Sequence, residues 1–152
     1  MNQIHLESSL VNARNKGRRG EREVIDEIKE LLGIELEVNY AQTFGGGHDL
    51  ISPNGHMPYA IEVKRRKAIT QADIKNWWDQ SVRQANKVDL LPCLWFRQDR
   101  ADWKVAIPCP YSSEKNLFPV EDINIASIIS PELWAAIARE EYNIGTRDTI
   151  TE

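Results

Sequence analysis

The chain has 152 residues, 41% hydrophobic and 28% charged, with 8 Gly and 7 Pro, a composition that suits one globular α/β domain and excludes collagen-like, low-complexity and wholly disordered classes. A domain of this length buries roughly two thirds of the surface its unfolded chain would expose, so it needs neither a disulfide nor a metal merely to fold. The net charge of −4 is uneven: residues 1–104 carry 16 Lys and Arg against 15 Asp and Glu, and residues 105–152 carry 3 against 8.

No apolar run approaches the roughly 18 residues of a membrane span, and the N-terminus lacks the apolar stretch of a secretory signal. A cytoplasmic protein with no membrane partner is expected. Cys93 and Cys109 have neither metal-ligand spacing nor disulfide density, and read as reduced thiols.

Residues 1–15 read as a polar arm ahead of the fold. Residues 17–33 predict a helix, because Val24, Ile28, Leu31 and Leu32 recur at helical spacing and Gly33 is a natural stop. Glu21 falls on the inward side of that helix. IELEVNYAQTF and HDLISP, joined through Gly45-Gly46-Gly47, predict two strands or a long hairpin, closed by Pro53-Asn54-Gly55. MPYAIEVK, residues 57–64, is the strongest strand. Thr70 with Asp73 forms a capping box for a helix to about Lys87 that buries Ile74, Trp77, Trp78, Ser81, Val82 and Ala85. Strands at 91–97 and 103–108 follow, then a loop-like acidic stretch, then a helix opened by Ser130-Pro131-Glu132.

Chemistry concentrates on the 57–64 strand. Side chains alternate with period 2, so Glu62 and Lys64 share one face while Ile61 and Val63 pack on the other. An edge strand with a wet polar face also fits this pattern. If the short strand after the glycines pairs beside it, however, Asp49 comes close to Glu62, and Glu21 can add a third carboxylate near Lys64. Three such anions repel unless protonation or a divalent cation compensates, and hard oxygen ligands with room for water suit Mg²⁺.

The order Glu21, Asp49 in GGGHDL, and Glu62-Val63-Lys64 in AIEVK resembles the PD-(D/E)xK nuclease superfamily. KGRRGEREV, DLIS, AIEVKRRK and LPCLWFRQDRADWKVAIP, over residues 16–107, resemble its Hjc-type archaeal Holliday junction resolvases and their phage relatives. That resemblance implies a restriction-endonuclease-like α/β fold with a central mixed five-stranded sheet flanked by helices. It implies a polar arm over 1–15, a nuclease core over 16–107, and an acidic C-terminal extension over 108–152 packed on the same domain. The activity implied is metal-dependent, structure-selective cleavage of four-way DNA junctions by a homodimer, in the host cytoplasm if phage-encoded. Glu21, Asp49, Glu62 and Lys64 would be catalytic. Glu21, Asp49, Glu62 and the Val63 carbonyl would hold Mg²⁺, with Mn²⁺ able to substitute.

Lys16, Arg18, Arg19, Arg22, Arg65, Arg66, Lys67 and Gln80 are candidate DNA contacts, since two basic clusters would then flank one site. Arg22 also suits an ion pair with Asp26, and Gln84 is a second glutamine on the Gln80 helix. His48 reads as a polar loop residue with accessory-base chemistry as the sharper option, and the five tryptophans read as core or interface. Two other functions stay open: a nuclease of the same site acting in repair, restriction or as an exonuclease, and an inactive DNA-binding or assembly protein. Against the second stands the intact set of acids, which would only repel phosphate in a binding module.

Overall fold

The computed structural model describes residues 3–41, 47–109 and 122–145. Three layers form around a six-stranded sheet ordered β1-β2-β3-β4-β5-β6, in which β3 and β4 are parallel and every other neighbouring pair is antiparallel. The mixed sheet agrees with expectation but holds one strand more than the five predicted.

Helix α1 spans Gln3–Leu32, so the segment read as an arm is helical from Gln3 onward. This segment contains no proline and its first glycine is Gly17. Once the second half is packed, extending the helix toward the N-terminus costs no new nucleus. Val24, Ile28 and Leu32 are fully buried, whereas Leu10 and Val11 are half exposed. Gly33 ends the helix as predicted, in the left-handed region at φ 68° and donating to the Lys29 carbonyl at 2.8 Å.

Strands β1 (Glu37–Val38) and β2 (Leu50–Ile51) are far shorter than the alternating sequence suggests. β2 gives way at once to the predicted turn, where Gly55 N–H donates to the Ser52 carbonyl, and Pro53 has no N–H for a ladder. Strand β3 (Tyr59–Arg66) pairs in register with β4 (Leu91–Gln98) from Tyr59↔Leu91 to Arg66↔Gln98. Tyr59, Ile61, Val63, Cys93 and Trp95 face the core beneath α1. Leu94 and Phe96 face the opposite core, beneath helix α2 (Gln71–Lys87), together with Trp78 and Val82.

The capping box of α2 is formed as predicted: the Thr70 hydroxyl accepts from Asp73 N–H, and the Asp73 carboxylate accepts from Thr70 N–H. Thr70→Ala should therefore cost about 1 kcal/mol, read as a lower midpoint with unchanged slope in urea denaturation; an unshifted midpoint would show that tertiary packing alone sets that helix start.

β5 (Lys104–Ile107) and β6 (Ser127–Ile129) complete the sheet. β6, paired from Ile107↔Ser127 to Val105↔Ile129, lies in a stretch expected to be loop. Helix α3 (Pro131–Tyr142) has Ser130 as its N-cap and Pro131 in its first turn, as predicted. Its Trp134 is fully buried, edge-on to Trp95 at 5.4 Å and to Tyr59 at 5.6 Å. Arg139 donates to the Leu31 carbonyl at 2.9 Å, tying α3 to the end of α1. The described part of the C-terminal extension is thus built into the core. No helix among the described residues is long and apolar enough to cross a membrane.

Candidate active site

The shortness of β2 creates the site. Asp49 precedes β2, with its N–H donated to the Ile61 carbonyl at 2.9 Å. Beyond Leu50↔Ile61 no further pair continues the β2–β3 ladder in this direction, which would leave Val63 N–H without a backbone partner. The Asp49 carboxylate takes that place, accepting from Val63 N–H at 2.8 Å. In an extended strand the N–H and C=O of one residue leave on the same edge, so the Val63 carbonyl also opens toward Asp49. Asn39 holds the loop from behind, its N–H on the Asp49 carbonyl at 2.8 Å and its side-chain amide on the His48 carbonyl at 3.0 Å.

Glu62 and Lys64 stand on one face of β3, as the alternation predicts. Glu62 is 2% exposed, so the wet edge-strand reading does not hold for it, and its Oε1 is buried with no hydrogen-bond partner among the described residues. Burial, and then the adjacent Asp49 charge, push its carboxyl up to about 9, while Lys64 pulls the other way and Asp49 also shares a hydrogen bond with it. Glu21 is raised to about 7, first by burial and then by Asp49, against the opposing pull of Arg18 and Lys64. The structure therefore brings Glu21, Asp49, Glu62 and Lys64 within mutual electrostatic reach. Among the described residues no group of three or more His, Cys, Asp or Glu side chains stands close enough together to hold a metal ion by itself.

This donor set nevertheless fits a hard divalent cation. It offers crowded carboxylates whose charge is held back by burial and mutual repulsion, one orphaned carboxylate oxygen, and a backbone carbonyl on the same edge. Mg²⁺ characteristically takes one or two carboxylates and completes its shell with water and phosphate.

The basic residues separate into two kinds. Arg18, Arg19, Arg22, Arg66 and Lys67 are exposed, and Arg66 lies 5.7 Å from the centroid of the Trp77 ring. Lys16 and Arg65 are instead engaged: Asp99 bonds Lys16 Nζ at 2.7 Å and Arg65 Nε at 3.2 Å, while Glu23 bonds Arg65 Nη1 at 2.7 Å and grips Arg97 with both oxygens. Arg97 in turn covers Trp103. Glu23, Arg97 and Asp99 carry no local signal of this role, because their ties to one another and to Lys16 and Arg65 span 34 to 83 residues of chain.

On α2, Gln80 is half buried, whereas Gln84 has a buried Oε1 without a partner among the described residues; two further buried oxygen donors or acceptors thus come from one helix, since Ser81 Oγ is alike. His48 is buried and its Nδ1 has no partner among the described residues, and burial lowers its pKa. It lies in a loop, as expected, but is buried there. Trp78, Trp95 and Trp134 are fully buried, in keeping with a core role. Gly45 and Gly46 lie outside the described residues.

Comparison with known proteins gives the family. The sequence model of a family described as "Phage putative PDDEXK endonuclease" matches residues 12–145. Protein D14 of Escherichia phage T5 is 32% identical over 114 residues, an alignment covering 64% of this chain and 71% of that protein. Among solved structures, the Holliday junction resolvase Hjc of Archaeoglobus fulgidus aligns with a TM-score of 0.42 and 22% identity, covering 57% of this chain and 72% of that one. The chain belongs to the phage PDDEXK endonuclease family, and by that membership it is a nuclease.

Proposed function

We propose that this protein is a divalent-metal-dependent, structure-selective DNA endonuclease that resolves four-way junctions by symmetric phosphodiester hydrolysis. The observation that carries the proposal is the convergence of Glu21, Asp49 and Glu62 on Lys64 at the open edge of β3. Asp49, Glu62, Glu21 and the Val63 carbonyl would hold Mg²⁺, or Mn²⁺ in its place. When bound, such an ion lowers the pKa of water and neutralises charge on the phosphoryl oxygens.

The chain's own groups do the rest. Lys64, three residues along β3 from Ile61 and beside the carboxylates, places an ammonium where it can orient a water or meet negative charge developing on phosphate. Asp49, fixed by Val63 N–H, is held in one rotamer. Arg18, Arg19 and Arg22 on α1 and Arg66 and Lys67 after Lys64 follow the phosphate backbone on either side, with Lys16, Arg65 and Gln80 as further contacts. A homodimer would present two such sites to the two symmetric strands of a junction, in the cytoplasm of an infected host.

The test is cleavage of an end-labelled four-way junction beside linear duplex of the same arm sequence. Paired, symmetric nicks on the junction with little cutting of duplex are expected. Equal cutting of duplex would retain the site and overturn the substrate.

A further inference from the structure

Lys16 and Arg65 belong to the basic clusters that flank the site, yet neither is bare. Both meet one carboxylate, Asp99, with Oδ2 on Lys16 and Oδ1 on Arg65. A phosphodiester likewise presents two anionic oxygens on one centre. The contact is partly buried, with side-chain exposures of 34% for Lys16, 30% for Asp99 and 19% for Arg65, and what remains exposed is open to solvent and to a ligand. Lys16 lies on α1 about one and a half turns before Glu21, and Arg65 follows Lys64 along β3 but projects from the other face, toward α1.

The rest of the cluster is organised differently. Glu23 holds Arg97 through both oxygens and Arg65 through one, a grip that locks α1 onto β3 and β4 without Asp99. Gly20 sits inside the same contact, with Arg65 Cβ and Val63 Cγ1 at 3.4 and 3.5 Å from where a Cβ would stand. Lys16, Arg65 and Arg97 against Glu23 and Asp99 leave the five side chains one positive charge in excess. Asp99 itself belongs to the β4–β5 turn, whose next residue, Arg100, is held in the left-handed region at φ 66°. Lys16 and Arg65 also hold the Asp99 carboxyl below its ordinary range, the larger part coming from Lys16, so it stays ionised.

We infer that Lys16 and Arg65 form a binding site for a backbone phosphate of the DNA substrate, and that Asp99 is an internal counter-anion which a correctly placed phosphate displaces. Asp99 is then a specificity-determining residue. It keeps two cations from gripping any duplex, and yields only where the rest of the protein already fits the DNA. The inference rests on the nuclease reading above.

The test is fluorescence anisotropy of full-length protein on labelled duplex and labelled four-way junction, with Ca²⁺ replacing Mg²⁺, across roughly 50 to 200 mM NaCl. Asp99→Asn should bind duplex about tenfold more tightly, steepen the salt dependence by about one to two counterions, and reduce the preference for junction. Adding Lys16→Gln to it should remove most of that gain. Asp99→Asn with unchanged melting temperature and unchanged or weaker duplex binding overturns the inference. If Asp99→Asn does not fold, Lys16→Gln alone decides: a shallower salt dependence by about one counterion supports the site, and an unchanged one overturns it. Failure of wild-type protein to bind either DNA overturns the nuclease reading and this inference with it, an outcome distinct from the other two.

Discussion

Replacing Glu62 with glutamine should lower the rate of DNA cleavage by about a thousandfold or more, equivalent to on the order of 4 kcal/mol of transition-state stabilisation, while leaving the fold intact. The two side chains have nearly the same shape, so the buried volume beneath α2 stays filled. What changes is charge. Glu62 is almost wholly buried and pressed by Asp49, so folding at neutral pH carries the cost of protonating it or burying its charge, a cost that a neutral amide does not carry. The melting temperature should hold or rise, and binding of uncleaved DNA without divalent ions should be no weaker than in wild type. A variant that keeps activity within tenfold of wild type would remove Glu62 from the chemistry. A variant that loses both activity and fold would make it a structural group.

The second large effect concerns the far side of the molecule. Trp134→Ala should destabilise the protein by about 3–5 kcal/mol, lowering the melting temperature by about 10 °C at this chain length. Trp134 is fully buried and packs edge-on against Trp95 of β4 and Tyr59 of β3, the two parallel strands at the centre of the sheet. Its loss would open a cavity against the strand that carries Glu62 and Lys64, so activity at temperatures near unfolding should fall with it. Thermal melts followed by tryptophan fluorescence and circular dichroism check this. A loss below about 1 kcal/mol would mean that α3 is peripheral to the nuclease core.

Glu62 shows what was legible in the sequence. Glu62 and Lys64 could be paired because strand alternation depends only on local geometry, and β3 is a long, apolar, unambiguous strand. Asp49 and Glu21 were identified because each lies at a defined point of its own element, before a strand and on the inward side of a helix. The capping box of α2 and the Gly33 stop were readable for the same reason.

Features that depend on distant partners were not readable. β6 has three residues and exists because β5 offers an edge to Ile129; no local pattern announces it. β1 and β2 contract to two residues each because the turn after Ser52 cuts the ladder, although alternation in IELEVNYAQTF suggests more. In the N-terminal half of α1, Leu10 and Val11 are half exposed, and this half extends from the packed one. The ties of Glu23 and Asp99 to Arg65, Arg97 and Lys16 join elements far apart in sequence, so the basic clusters read as bare charge when part of that charge is already balanced. The burial of His48 in its loop is a tertiary property that local composition does not announce.

In the proposed function, Glu21, Asp49, Glu62 and Lys64 form a metal-dependent hydrolytic centre. Its most direct test is DNA strand cleavage by the purified protein in Mg²⁺, in EDTA, and in Mg²⁺ with Glu62→Gln purified identically. Cleavage in Mg²⁺ alone, abolished by EDTA and by the substitution, is the predicted result. DNA that is bound but left uncut in both Mg²⁺ and Mn²⁺, or cut equally by Glu62→Gln, would contradict it.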